Sequence, residues 1–399
     1  MDIIVQKYGG SSLAEDAQVR AVAARVAKTR RDGHQVVVVV SARGNTTSEL
    51  LASAGRFNTN PSHRELDMLL AAGEQKSASL LTLALQDIGV AACAMTGPQA
   101  GVRTCSAHLN ARIKSVEPER MRTALEEGQV VVVAGFQGAS PSGDITTLGR
   151  GGSDTTAVAI AAALKASRCE IYSDVDGVYT ADPRIVPEAI RLRMLSLAEM
   201  KTLAHHGAGV LNERAVDYAM AHGVTIHAGK AHGAGGQTVV RREPGTGRSR
   251  IVGIANHRSL VSVAFESEAV RKRLEPVLGE YECFAPALAG QTPGRFLIPA
   301  DQLADSEGLA ESLSRDFADQ LELHHPLATV SAVGHEAGRD GSSLGYARQL
   351  LADEGIELLD AFSEAHAITC LVEADDLSLA ARAFHRGFRI ADSGVANVA

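Results

Sequence analysis

The residues best suited to chemistry lie between positions 146 and 184. Gly149-Arg150-Gly151-Gly152-Ser153-Asp154 is a glycine-rich turn that enters a small-residue run over 155–165, almost all Ala with Val and Ile. Such a run reads as a tightly packed helix. A turn that opens a helix offers backbone N–H groups and the positive end of a dipole to an anion. Arg150 adds a planar fork suited to a carboxylate or phosphate. The bland alternative is a tight strand-to-helix turn. Downstream, the short apolar strand over 169–172 delivers Ser173-Asp174-Val175-Asp176-Gly177, with Ala181-Asp182-Pro183-Arg184 just beyond it. That paired acidic turn favours the functional reading.

Three more segments have the same form, a strand ending on Gly, Ser, Thr or charge. The run Asp2 to Gln6 breaks at Lys7-Tyr8-Gly9-Gly10-Ser11-Ser12, ahead of a helix expected over 15–31. This is a phosphate-cradle layout with a lysine aimed at it, although the lysine precedes the glycines, unlike a Walker motif; a turn with a solvated lysine is the alternative. Five consecutive valines, 36–40, predict a central parallel strand buried on both faces, with Ser41-Ala42-Arg43-Gly44-Asn45-Thr46-Thr47 at its carboxyl end. A helix over 65–85 carries Gly73-Glu74, where Glu74 is either a surface charge or part of the site. The strand over 129–134 closes on Gly135-Phe136-Gln137-Gly138. Alternating strands and helices with polar carboxyl ends predict a parallel α/β domain whose ligands bind along one sheet edge.

That edge gathers cationic and N–H donors, hydroxyls and carboxylates, without a Ser–His–Asp or Cys–His arrangement. Phosphoryl transfer suits such a set, because that chemistry rests on positioning and on neutralising oxygen charge. A carboxylate acceptor, with a pKa near ~4, needs no general base at neutral pH.

The elements that must hold these residues follow from the rest of the chain. Its 399 residues are enough for two or three domains, with 45% hydrophobic and only 4% aromatic residues, so the core is aliphatic. A net charge of -8 without a dense basic run argues against nucleic-acid binding. The five cysteines, Cys93, Cys105, Cys169, Cys283 and Cys370, show no CxxC pairing, so neither a zinc site nor a disulfide framework is expected. The N-terminus reads as a strand, not a signal peptide, and no apolar run reaches spanning length; a cytoplasmic protein is expected. Helices over 196–205 and 212–222 precede a strand over 225–227. The Gly-rich and basic stretches 229–236 and 243–250 read as a linker. From 251 a strand–helix–strand-pair–helix–strand order occurs twice, over about 260–316 and 328–390. The second copy predicts strands over 328–333, 356–361, 367–372 and 388–390, with helices ending near 354 and over 377–386. Such βαββαβ units bind small ligands or dimerise.

KYGGSS, SARGNTT, AAGEQ, GFQG, TTLGRGGSDTTAVAIAAAL and EIYSDVDGVYTADPRIVP together resemble the aspartate kinases of the amino acid kinase superfamily, over residues 2 to about 200. The segment 250–399 resembles that family's paired ACT modules more weakly. The resemblance implies a three-layer α/β/α amino acid kinase fold with a mostly parallel sheet over 1–245, then ACT-like modules over 251–325 and 326–399. It implies ATP-dependent phosphorylation of the β-carboxylate of L-aspartate, with Mg²⁺ held mostly by the phosphates' own oxygens and no protein metal ligands. By motif, Lys7 would neutralise the transferring group and Asp154 would hold it. Gly9 and Gly10 would donate N–H groups. Arg150, with Gly151, Gly152 and Ser153, would clamp the α-carboxylate, and Glu74 would receive the α-ammonium. Ser41 and Thr47 would orient the substrate. Ser173, Asp174, Tyr179, Asp182, Pro183 and Arg184 would seat the nucleotide. A homo-oligomer through the ACT-like modules is implied, with no nucleic-acid or membrane partner.

The chain departs from that pattern in three places. Gly209 stands where the family's G-[SA]-K-[VI]-L turn has a lysine. Asn212-Glu213 replaces a His-Pro or similar pair before Arg214. The first ACT-like unit reads Phe265-Glu266-Ser267-Glu268 in place of a D-x-P-G effector loop, which predicts little inhibition by lysine or threonine. A degenerate, non-catalytic subunit and a kinase for a related small acid are the alternatives.

Overall fold

A computed structural model describes residues 1–233, 235–242, 251–278, 294–300, 313, 315–317, 320–339 and 341–388. The chain forms two compact units: 1–178, 192–201 and 209–245 make the first, and 179–191, 202–208 and 246–399 the second.

The first unit runs β1 (Ile3–Tyr8), α1 (Asp16–Arg31), β2 (Gln35–Val40), α2 (Thr46–Phe57), α3 (His63–Asp87), β3 (Ala92–Met95), β4 (Val102–Thr104), β5 (Ile113–Val116), α4 (Glu119–Glu126) and β6 (Val130–Ala134). It continues through β7 (Gln137–Ala139), β8 (Ile145–Thr147), α5 (Gly152–Leu164), β9 (Arg168–Ser173), β10 (Met194–Ser196), α6 (Leu197–His205), α7 (Glu213–His222), β11 (Ile226–Lys230) and β12 (Gln237–Arg241). The end of α6 belongs to the second unit.

An eight-stranded sheet ordered β10-β12-β11-β9-β1-β2-β6-β3 forms the middle layer. Every pairing in it is parallel except β11 with β12. The valine runs of β2 and β6 are buried throughout, as expected of strands covered on both faces. Val36, Val38 and Val40 join Val22 and Val26 of α1 and Leu81 and Leu85 of α3 in one apolar cluster. The opposite face meets α5, whose Ala157, Ile160 and Ala161 are fully buried, which is why that helix is built of small residues. The side-chain period of two in β1 therefore sends Tyr8 into the cluster with α1 and Lys7 to the α5 side. A four-stranded sheet, β5-β4-β7-β8, is a second piece that short, weakly patterned strands did not announce.

Two sequence expectations are corrected. The stretch 229–236 is not a linker: its first residues finish β11 and the rest turns the chain into β12, which pairs back antiparallel. The strand expected over 356–361 lies later, because Gly355 takes a positive φ and the chain stays irregular until Asp360.

In the second unit, β13 (Gly253–Phe265), α8 (Glu268–Leu278), β14 (Gly294–Pro299), β15 (Leu321–Val333), α9 (Gly341–Asp353), β16 (Asp360–Glu364), β17 (Ala367–Glu373) and α10 (Leu377–Gly387) are described. The strands form one antiparallel sheet, β14-β13-β15-β17-β16. Its two 13-residue strands, β13 and β15, pair along their length across register shifts between His257 and Ser262. Ala328, Val330, Ala332, Ile368, Cys370 and Val372 supply one apolar face, packed with Leu351, Ala380 and Phe384. Cys283, the stretch 243–250, residues 389–390 and most of the second half of the first repeat lie outside the described residues.

Candidate active site

The carboxyl ends of β1, β2, β6, β9 and β11 come level: Tyr8 pairs with Val40 and Tyr172, Val40 with Ala134, and Lys230 with Ser173. This is the edge where parallel α/β sheets bind ligands. β1 sits between the two halves of the edge, and its Lys7 Nζ lies 2.6 Å from Asp154 Oδ1, with each side chain only 12% exposed. Asp154 stands in the first turn of α5, whose positive end assists both the carboxylate and any anion brought there.

On the β2–β6 side the acidic and small residues have specific jobs. Glu74 is 4% exposed, so the surface-charge alternative is excluded. Its Oε1 accepts the Ala42 N–H at 3.0 Å, tying α3 to the loop after β2. Its Oε2 is buried without a hydrogen-bond partner. Burial pushes the carboxyl up to about 7, opposed by the Ala42 N–H. A buried carboxylate oxygen with nothing to accept calls for a cationic ligand. Ser41 is half-buried and its N–H donates to Tyr8 O, while the half-buried Thr47 occupies the first turn of α2.

The GRGGSD turn is braced from several directions. Gly151 has φ 69° and a Cβ there would stand 2.3 Å from Asn212, so this position demands glycine twice over. Asn212 caps α7 by accepting the Arg214 N–H at 3.0 Å, and its amide donates to Arg150 O at 3.3 Å. Arg214 donates to Asn110 Oδ1 and to Leu148 O. The Arg150 side chain is exposed, while Gly152 and Ser153 are buried where the helix begins.

Gly9 and Gly10 make close backbone contacts in this structure. The Gly9 N–H donates to Tyr172 O at 3.3 Å, so that donor joins β1 to β9 instead of facing a ligand. A Cβ on Gly10 would meet Ala42 O at 2.5 Å, so glycine lets the two loops touch. On the β9–β11 side, Ser173 is half-buried and its Oγ accepts the Val175 N–H; Asp174 and Lys230 are exposed. Arg25 donates to the carbonyls of Lys230 and Ala231 and lies 4.4 Å over the Tyr172 ring.

Tyr179, Asp182, Pro183 and Arg184 fall in the second unit. There Asp182 accepts from Arg184 and from Arg258. Desolvation alone would raise its carboxyl, but the Arg184 and Arg258 hydrogen bonds outweigh it and hold the group at about 2. In this structure Asp182 is thus engaged by Arg184 and Arg258 within the second unit.

Sequence reasoning missed Asp67 and the bracing part played by Asn110. The signal for Asp67 was available: it precedes Glu74 by seven, on the same face of α3 as the buried Leu70 and Ala71. A carboxylate on that face needed partners.

The description "Amino acid kinase family" matches residues 2–228. The chain is 38% identical to the aspartokinase of Geobacillus stearothermophilus over 99% of both proteins. It is 56% identical to that of Corynebacterium glutamicum over 57% of this chain and 54% of the other. Among solved structures, Escherichia coli aspartokinase III in complex with aspartate and ADP superposes with a TM-score of 0.81 at 22% identity, covering 97% of this chain and 99% of that one. With its family match over more than half its length and a relative alike from end to end, the chain belongs to the amino acid kinase family, among the aspartokinases.

Proposed function

We infer that the chain phosphorylates the β-carboxylate of L-aspartate with ATP, giving the acyl phosphate, and that Lys7 divides its active edge between the two substrates. The observation that carries the division is the buried, unpartnered Glu74 Oε2 on one side of Lys7, the place for an α-ammonium. Arg150 then takes the α-carboxylate in a bidentate contact, assisted by the N-terminus of α5 at Gly151, Gly152 and Ser153. Ser41 and Thr47 orient the chain of the substrate. The nucleotide lies toward Ser173 and Asp174. The ionised β-carboxylate attacks the γ-phosphorus, and Lys7 neutralises the oxygen charge as the bond to ADP breaks. Asp154 keeps the lysine aimed.

Among the described residues no group of three or more His, Cys, Asp or Glu could hold a metal. In this reading Mg²⁺ would come with the nucleotide's own phosphates and supply charge neutralisation there. Trapping the product with hydroxylamine tests the reaction: an aspartate-dependent hydroxamate with matching ADP release is expected. ADP release with glutamate or another acid in preference to aspartate would refute the assignment.

The three-part division at 1–245, 251–325 and 326–399 and the homo-oligomer through the ACT-like modules belong to the same reading; light scattering of the full chain tests the latter. No helix among the described residues is long and apolar enough to cross a membrane. Regulation by lysine or threonine is weak in this reading. Ser267 Oγ accepts the Val270 N–H as α8 begins, and Glu268 pairs with Arg271 at 2.9 Å, so the segment is a capped helix start carrying carboxylates. Calorimetric titration should show no micromolar binding of either amino acid; such binding coupled to loss of activity would overturn it.

A further inference from the structure

Asp67 is fully buried and its carboxylate joins three segments. It accepts from His108 Nδ1 at 2.6 Å, from the Leu109 N–H at 3.0 Å, and from Thr147 Oγ1. A buried carboxylate is costly unless its lone pairs are filled, and here donors from two other segments fill them. Both segments lead to one place. Thr147 ends β8, three residues before Arg150. Leu109 is held at φ 63°, a conformation that costs a non-glycine residue, and its carbonyl lies where a Cβ on Gly149 would be 3.2 Å away. The neighbouring Asn110 receives Arg214, which also grips Leu148 O. The turn that carries Arg150 thus rests on a platform whose foundation is one carboxylate of α3. The same helix face carries Glu74 one heptad later.

We propose that Asp67 is a positioning residue for the α-carboxylate of the amino-acid substrate. It sets the height and direction of the Arg150 turn against Glu74, so that α3 fixes the distance between the ammonium and carboxylate subsites. This inference rests on the assignment of Arg150 and Glu74 to the two ends of aspartate. It makes Asp67 a determinant of specificity for α-amino acids, although it touches no substrate. Replacing it with Asn keeps the volume but sets an NH₂ donor against N–H and O–H donors, which loosens the platform.

The test compares L-aspartate with its α-carboxamide, which keeps the β-carboxylate and the ammonium but lacks the charge that Arg150 reads. Asp67→Asn should raise KM for L-aspartate about tenfold or more while KM for ATP stays within about twofold. The preference for L-aspartate over the amide should fall by a similar factor. Thr147→Val removes one arm of the platform and should move the preference the same way by less, which covers the case in which Asp67→Asn does not fold. Equal losses for both substrates and an unaltered preference would reduce Asp67 to a structural tie and overturn the proposal. If the unaltered protein shows no aspartate turnover, the functional reading fails instead. The same preference, read by calorimetric binding without ATP in the unaltered and Thr147→Val proteins, still decides the role of Asp67.

Discussion

The two sides of Lys7 are built by different rules. On the amino-acid side, charge is buried and braced: Glu74 and Asp67 are 4% and 0% exposed, and the Arg150 turn is held by Asn212, Arg214 and the Leu109 loop. On the β9–β11 side, Asp174 and Lys230 are solvent-exposed at the ends of the two strands. Buried charge is expensive, so it persists where it discriminates, in the proposed reading a small zwitterion from its relatives. A nucleotide brings its own phosphates and cation, and an open loop with backbone contacts suffices to hold it. Substitution should therefore be sharp on one side and graded on the other.

Lys7 belongs to both sides, and removing it should have the largest effect. Lys7→Ala is expected to lower kcat by about 10²–10³, the range for deleting one preorganised donor to a developing oxyanion, with smaller changes in either KM. It also leaves Asp154 buried without its 2.6 Å partner. Unchanged turnover in a steady-state assay would remove Lys7 from the chemistry.

In the proposed reading, Arg150 acts on the amino-acid side alone. Arg150→Ala should raise KM for aspartate by about 10- to 100-fold, the loss of a charged bidentate contact, and leave KM for ATP nearly constant. A parallel rise in both would mean that the turn serves the phosphates as well, which would erase the contrast.

Glu74 sharpens the contrast through pH. Its carboxyl is pushed up to about 7, and only the ionised form accepts an ammonium. At pH 6 about a tenth of the free protein is competent, so KM for aspartate should stand about tenfold above its value at pH 8, and KM for ATP should not follow. Glu74→Gln should raise KM and flatten this profile. Stability should move the other way. A carboxyl whose folded pKa lies above its unfolded value makes the protein less stable as pH rises from about 4.5 to about 7, and the deficit persists above that. Glu74→Gln should relieve up to about 3 kcal/mol of it at pH 8, less the cost of a buried NH₂ at the Oε2 position, and nothing near pH 4. Thermal denaturation at the two pH values measures it.

The same asymmetry explains what the sequence made legible. Valine runs announced β2 and β6 because full burial leaves no polar alternation, and the GRGGSD turn announced α5 because only glycine permits its geometry. Lys7 and Asp154, 147 positions apart, were paired only through the resemblance, and the 2.6 Å contact bears that pairing out. Glycine reads alike whether it frees an N–H for a ligand or lets two loops meet, and at Gly10 the close approach to Ala42 O shows the second reason at work. The Asp182–Arg258 tie was not legible because the two lie 76 residues apart, beyond the reach of local pattern. Asp67 was overlooked because a single Asp in a helix is ordinarily solvated; its spacing hinted at a buried role, and the fold shows three donors closing on it.

The smallest expected effect tests the open side. Gly209 is exposed, a Cβ there would meet nothing within 4 Å, and it lies three residues before Asn212, which touches the Gly151 turn. A lysine therefore fits without strain. Lys201, a candidate to replace the missing cation, is engaged by Asp217 at 2.7 Å. Lys230 is exposed at the carboxyl end of β11 beside Ser173. Gly209→Lys should lower KM for ATP by roughly two- to fivefold, the range of one exposed charge interaction, and leave KM for aspartate unchanged. Lys230→Ala should raise KM for ATP in the natural background by a similar factor and by less in the Gly209→Lys background, since a second cation then shares the phosphate charge. A double-mutant cycle in KM reads that difference directly. Strict additivity would show that Lys230 does not stand in for the absent lysine. A change in KM for aspartate on Gly209→Lys would place the 209–212 turn with the braced side instead.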